Sequence, residues 1–461
     1  MIPIKKILFS IMLVSLLIPN KLTLAQDYQY YSVEYIDTLE FEKLIKNESV
    51  EVVYRIPKLK IAQIKTKSKT AKKLSLHRKA IRYINLTCST CNNNERTTSI
   101  YPPISSTESL FSRQWDMNRV TKNGMIYENL PKNNKTQIAI IDTGITMNHE
   151  DLKYNHSNKS KNLVPVNGFR GTESDEKGTI DYLIDKKGHG TMVAGQSSAN
   201  GRLVGVAPKN KFNMYRVFGS KKTEMLWVAN AIVTAADDGN QVINISVGSY
   251  IILDKKQKAV FRNDEKVEYN ALQKAINYAK KKKSLVVAAN GNNGIDVNNI
   301  KQINSQRNYN KDGDGRVYDV PASLENVVTV GSTDQNGNLS EFSNYGKHYT
   351  DIVAPGGSYQ YLNKYGHDKW IDDGYMHKEN ILTTANNGRY IYQAGTSLAA
   401  PKVSGALALI IDYYSLEENP QKAITILYDN GTSSVNKPYE KYGHGELDIY
   451  QLIKKPIKKA S

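Results

Sequence analysis

Three side chains of this chain could together attack a carbonyl carbon. In Gly395-Thr396-Ser397-Leu398-Ala399-Ala400-Pro401 a serine opens an apolar run, Val403 to Tyr414, whose small residues suit a helix buried on most sides. A serine there meets the positive end of the helix dipole and free backbone N–H groups. Both can stabilise an oxyanion forming beside its Oγ. Alone, Gly-Thr-Ser is an ordinary helix cap. A second segment, Gln137-Ile138-Ala139-Ile140-Ile141-Asp142-Thr143-Gly144-Ile145, reads as a buried parallel strand with a carboxylate at its C-terminal edge. Open α/β sheets place their sites at that edge. A third, Lys187-Gly188-His189-Gly190-Thr191-Met192-Val193-Ala194-Gly195, sets an imidazole between glycines that let another backbone approach it. Orienting carboxylate, base and nucleophile thus follow one another as Asp142, His189 and Ser397.

These groups need a frame that brings distant segments together. Apolar strand candidates at Gln137–Ile141, Phe212–Val217, Gln241–Ile245, Ser284–Ala289, Val327–Val330 and Ile352–Ala354 alternate with helical stretches such as Thr223–Asp237 and Lys266–Lys282. That alternation predicts an α/β domain, a parallel sheet with helices on both faces, over residues 101–455. Ahead of it, residues 26–100 read as a small separate unit. Its order is strand Ser32–Ile36, helix Thr38–Asn47, strand Val50–Ile56, strand Ile61–Lys67, helix Ser68–Ile81 and strand Arg82–Cys88, the split βαβ arrangement. The polar stretch Asn92–Ser99 is the natural exposed linker between the two.

The three catalytic segments resemble the signature motifs of the subtilisin-like serine proteases, in that family's order Asp, His, Ser. A fourth segment agrees. Leu285-Val286-Val287-Ala288-Ala289-Asn290-Gly291-Asn292-Asn293-Gly294 is similar to the family's strand ending in an oxyanion-hole asparagine, which makes Asn292 the donor. The resemblance implies that Ser246, Val247 and Gly248 line one wall of the S1 pocket and Ala289, Asn290 and Gly291 the other. Counting back from Pro321, which matches a family proline, puts Asp319 at the far end, where a carboxylate would pair with Arg or Lys at P1. The alternative for Asp319 is a cap on the loop before it. The small N-terminal unit suits the chaperone and inhibitor prosegments of that family, against the plainer alternative of a stable domain retained after secretion.

Lys5 and Lys6 ahead of the apolar stretch Ile7–Pro19, with Thr23-Leu24-Ala25 before Gln26, have the anatomy of a signal peptide over residues 1–25. An extracellular enzyme without a stable membrane span is the expectation, ending in a basic tail, 456–461, with no sorting signal. The two cysteines, Cys88 and Cys91, lack a second ligand pair for zinc and do not open a helix after a strand, which leaves a local disulfide or no role. With 62 Lys and Arg against 45 Asp and Glu, the net charge is +17. That favours acidic partners by long-range attraction, while the absence of any nucleic-acid motif argues against nucleic acid.

The triad chemistry requires no cofactor. The family's calcium loop would fall at Ser197–Arg202, which is short and lacks a carboxylate, so calcium stays open but disfavoured. Asn310-Lys311-Asp312-Gly313-Asp314-Gly315 resembles the start of an oxygen-ligand loop, but Pro321 stands where the glutamate belongs, and a polar turn fits better.

Among subtilases the chain is most similar to the lantibiotic leader peptidases, through Phe111–Asn118, Asn167–Glu173, the loop Ile251–Glu268 and the compact prosegment. Members of that family cut an acidic leader from a modified precursor after a basic residue. The expected function is therefore a secreted, monomeric serine endopeptidase, with its own prosegment and a precursor peptide as partners. The alternatives are a degradative subtilase of broad specificity and a non-catalytic basic surface-binding protein on a protease fold.

Overall fold

Val33, Ile64 and Ile84 are fully buried where three neighbouring strands bring them together over two helices. They belong to the N-terminal unit: β1 (Tyr28–Tyr35), α1 (Thr38–Asn47), β2 (Glu51–Ile56), β3 (Ile61–Lys67), α2 (Ser68–Leu74) and β4 (Ile81–Leu86). Asp37 caps α1 by accepting from Glu40 N at 2.9 Å. The β-α-β-β-α-β order is the one expected, but α2 stops at Leu74 rather than Ile81. Ser75 Oγ turns back onto Lys72 O, and Ile81 is needed in the sheet. The computed structural model describes residues 28–87, 108–129, 134–309, 315–433 and 437–454. The expected signal segment, Cys88, Cys91, the expected linker Asn92–Ser99, Asn310–Asp314 and the basic tail lie outside the described residues.

The larger unit is built on a nine-stranded sheet. Its elements run α3 (Trp115–Thr121), β5 (Ile138–Asp142), β6 (Lys161–Asn162), α4 (His189–Ser198), β7 (Phe212–Arg216), α5 (Met225–Asp237), β8 (Val242–Ile245), β9 (Ser249–Asp254), β10 (Phe261–Arg262), α6 (Lys266–Lys281) and β11 (Leu285–Ala289). They continue through β12 (Gly315–Val320), β13 (Val327–Thr333), β14 (Ile352–Pro355), β15 (Ile381–Thr384), β16 (Tyr390–Gln393), α7 (Thr396–Tyr414), α8 (Gln421–Asn430), β17 (Thr432–Ser433) and β18 (Glu446–Leu447). The sheet order is β17-β18-β14-β13-β11-β8-β5-β7-β6. All its pairings are parallel except that of β17 with β18, so the expected parallel sheet carries one antiparallel edge. Strand order reverses beside β5, which opens a crevice at the carboxyl ends of β5 and its neighbours.

Both faces of the sheet are covered, which is why its strands are continuously apolar. One face packs on α4 and α7, the other on α5 and α6. Every residue of α7 from Thr396 to Asp412 is buried, so it runs through the core rather than along the surface.

The N-terminal sheet sits on α5 and α6. Ile56, Leu59 and Ile61 join the same apolar cluster as Trp227 and Val267. Each such aliphatic side chain contributes about 1.5–3 kcal/mol to the docking when fully buried. Two carboxylates near the N-termini of these helices complete the seat. Glu268 accepts from Ser32 Oγ at 2.6 Å and Asn85 Nδ2 at 2.8 Å. Glu224 accepts from Gln63 Nε2 and from Arg170 Nε. Residues 251–268, expected as one loop, instead supply strands: β9 pairs with β12, and β10 adds a fifth, parallel strand to the N-terminal sheet beside β4.

Candidate active site

Asp142 ends β5 and His189 begins α4, so strand and helix deliver both side chains to the crevice. His189 Nδ1 lies 2.7 Å from Asp142 Oδ1, with both side chains buried. Asp142 Oδ1 also accepts from Thr143 N at 2.7 Å, which fixes its direction. The glycine after His189 is required: a Cβ on Gly190 would stand 2.2 Å from Gly144 O. The close backbone approach expected from the sequence is between these two loops.

Ser397 occupies the first turn of α7 and is 8% exposed. Asn292 faces it. Asn292 Oδ1 accepts from Thr396 N at 2.9 Å and from Thr396 Oγ1 at 2.8 Å, which leaves its NH2 end turned to the cleft. A Cβ built on Gly395 would lie 3.1 Å from Ser397 Oγ and 3.5 Å from Asn292 Nδ2. Hydroxyl and amide therefore both border the position that a Cβ at residue 395 would fill.

The residues expected around S1 also converge. A Cβ on Gly248 would be 3.6 Å from Asp319 Oδ1, and one on Gly291 would be 2.9 Å from Asp319 Oδ2. The carboxylate thus lies between the two glycine-bearing walls. It accepts from Tyr349 OH at 2.9 Å and Asn344 Nδ2 at 3.2 Å, and burial lifts its carboxyl to about 7 against those two bonds. Val247 is buried and Ala289 half-buried. Asn290 contributes no side chain to the pocket, because its amide turns inward to Asn344 O and Thr350 Oγ1. Ser246 turns its hydroxyl onto Ser397 O at 2.9 Å.

At the short interval noted for calcium, backbone amides surround a carboxylate. Asp151 accepts from Arg202 N at 2.7 Å and Leu203 N at 3.2 Å. Among the described residues no group of three or more His, Cys, Asp or Glu side chains could hold a metal ion. Nor, among them, is any helix long and apolar enough to cross a membrane.

A family model described as the Subtilase family matches residues 133–445, and one described as Protease propeptides/inhibitors matches residues 26–88. The chain belongs to the subtilase family. It is a serine protease of that family, a hydrolase of peptide bonds with a subtilisin-like fold and an N-terminal propeptide unit. The epidermin leader peptide-processing serine protease EpiP of Staphylococcus epidermidis is 49% identical over 436 residues, covering 94% of each chain. The nisin leader peptide-processing serine protease NisP of Lactococcus lactis subsp. lactis is 43% identical over 364 residues, 78% of this chain and 51% of the relative. The crystal structure of EpiP from Staphylococcus aureus superposes with a TM-score of 0.89 at 65% identity, over 94% of this chain and 100% of that one.

Sequence reasoning missed several groups that hold this subtilase's site. Asp185 gathers Thr143 Oγ1, Thr191 Oγ1 and the N–H groups of Gly188 and Thr191 at 2.7–2.8 Å. It links the residue after Asp142 to the first turn bearing His189. Burial raises its carboxyl above the usual range, and those bonds oppose the rise. A carboxylate four residues ahead of a helix-opening histidine was the available signal. Tyr349 and Asn344 gave none, since loops far along the chain carry them to Asp319.

Proposed function

We propose that this subtilase is an extracellular endopeptidase that removes the leader from a lantibiotic precursor by cutting after a basic P1 residue. The observation that carries the reading is the buried Asp319 carboxyl group between Gly248 and Gly291, two positions that carry no side chain. A P1 guanidinium or ammonium entering there gains a charge-assisted bond that a leucine cannot make. The printed activities of EpiP and NisP, leader peptide processing, support the substrate class. The net charge of +17 suits an acidic leader.

The proposed chemistry uses only the chain's own groups. His189 Nε2 takes the Ser397 Oγ proton as the oxygen attacks the scissile carbonyl, and Asp142 holds the imidazole tautomer and stabilises the imidazolium. The oxyanion is held by Asn292 Nδ2 and Ser397 N–H. Losing the asparagine donor would cost about 3 kcal/mol of transition-state stabilisation. The imidazolium then delivers its proton to the leaving amine, and water, activated by the same base, releases the acyl group. No cofactor enters these steps, and calcium is not needed for them.

In this reading residues 1–25 are the signal peptide, 26–100 the prosegment released by self-cleavage, and 101–455 the mature, monomeric enzyme. The test is expression of Gln26–Ser461 as wild type and as Ser397→Ala, followed by mapping of N-termini and profiling on a peptide library. The expected result is cutting after Arg or Lys by the wild type alone. Loose P1 preference would leave a degradative subtilase instead.

A further inference from the structure

Lys402 stands inside the buried stretch of α7, in contact with two other helices and with the first turn of its own. Lys402 and Asp116 are both 0% exposed, and Lys402 Nζ lies 2.9 Å from Asp116 Oδ2 on α3. The same ammonium donates to Gln196 Oε1 on α4 at 2.7 Å and to Leu398 O at 3.0 Å. Leu398 directly follows Ser397, and Gln196 lies two turns along the helix that His189 opens. The Gln196 amide is itself oriented, since its Nε2 donates to Leu382 O on β15 at 3.1 Å.

Stability alone is a weak reason for this arrangement. Each buried ion costs several kcal/mol in desolvation, and an apolar pair of similar volume is often as stable or more so. Burial pushes the Lys402 ammonium below its ordinary value, and the neighbouring Asp116 charge works against that shift. What an apolar pair could not do is donate at once to Leu398 O and Gln196 Oε1. Those two acceptors belong to the helices that bring the proposed nucleophile and base together, and in-line attack tolerates little error in their relative placement.

We propose that Lys402 is a positioning residue: its ammonium ties the first turn of the Ser397 helix to the His189 helix, with Asp116 as its counter-ion. The inference rests on the reading of Ser397 and His189 as nucleophile and base.

The experiment compares four full-length proteins, wild type, Ser397→Ala, Lys402→Met and the double variant Lys402→Met/Asp116→Leu, on a peptide with Arg at P1. Lys402→Met leaves a buried carboxylate alone and loses both Tm and activity. The double variant regains wild-type Tm and KM, yet its kcat stays about 10- to 100-fold low, because the ammonium that joined Leu398 O to Gln196 Oε1 is gone. Normal Tm with kcat within twofold of wild type would overturn the proposal and leave the pair a packing feature. Should the double variant not fold, Gln196→Met decides: it keeps the ion pair, and its kcat falls with KM held, whereas an unchanged kcat overturns the proposal. Activity remaining in Ser397→Ala would instead sink the underlying assignment of the nucleophile.

Discussion

Ser246 Oγ donates to the carbonyl oxygen of Ser397 at 2.9 Å. The bond is needed because Pro401, four residues further along α7, has no N–H to give that carbonyl. Ser246 is held in turn by Asn244 Nδ2 at 2.9 Å, and Asn244 Oδ1 by Ser404 Oγ at 2.9 Å. A proline that should weaken the helix thus anchors its first turn to β8 and the residues that follow it.

Ser246→Ala should lower stability by about 1–2 kcal/mol by orphaning a buried carbonyl. Adding Pro401→Ala should recover part of that loss, since an N–H at 401 can reach Ser397 O. Thermal unfolding of both variants checks this; no recovery would mean that the Ser397 carbonyl finds another donor.

With Asp319 at the end of S1 as proposed, its charge would set a pH dependence that discriminates between substrates. With its carboxyl raised to about 7 by burial, the free pocket holds a proton below that pH. A cationic P1 needs the carboxylate, so the proton must leave first. The ratio of kcat/KM for P1-Arg over P1-Leu peptides should therefore fall about tenfold per pH unit below about 7 and level off above it. Taking the ratio cancels any ionisation that the two reactions share. Asp319→Asn should flatten the ratio at a low value.

Asp185→Ala would strand Thr143 Oγ1, Thr191 Oγ1 and the Gly188 and Thr191 amides in a buried site. A loss of about 3–5 kcal/mol is expected, read by urea denaturation. Asp185→Asn retains the shape but not the charge, and should lower kcat about tenfold with KM little changed. An Asp185→Asn enzyme with wild-type kcat would remove Asp185 from the site's support.

Release of the prosegment should quicken as pH rises. Burial lifts the Glu268 carboxyl to about 7 in the docked state, against an ordinary value of about 4.3 once exposed. Docking therefore takes up a proton. Its contribution is fully present below the exposed value and is lost as pH rises through about 7. Dissociation of the prosegment once cut from the catalytic unit, followed by native mass spectrometry from pH 5 to 9, should show this slope in the wild type. Glu268→Gln should lessen it, leaving the part due to Glu224, whose carboxyl burial also raises.

The serine protease class and the class of fold were legible in local stretches of sequence. Asp142, His189, Ser397 and Asn292 sit in short stretches whose glycines and apolar runs have local reasons, and β5, α4 and the start of α7 fall where those reasons put them. The prosegment's order of strands and helices was legible for the same cause: alternation and helical periodicity are local signals. Tertiary structure decided what depends on meeting across the chain. That Asp319 would be held by Tyr349 and Asn344 was not readable, nor that Lys402 would find Asp116, because burial and partners arise only when separate elements close on one another. The same holds for residues 251–268, whose strands form only because β12 and β4 offer edges to pair with. A backbone edge is a property of the folded sheet, and no local pattern of side chains records it.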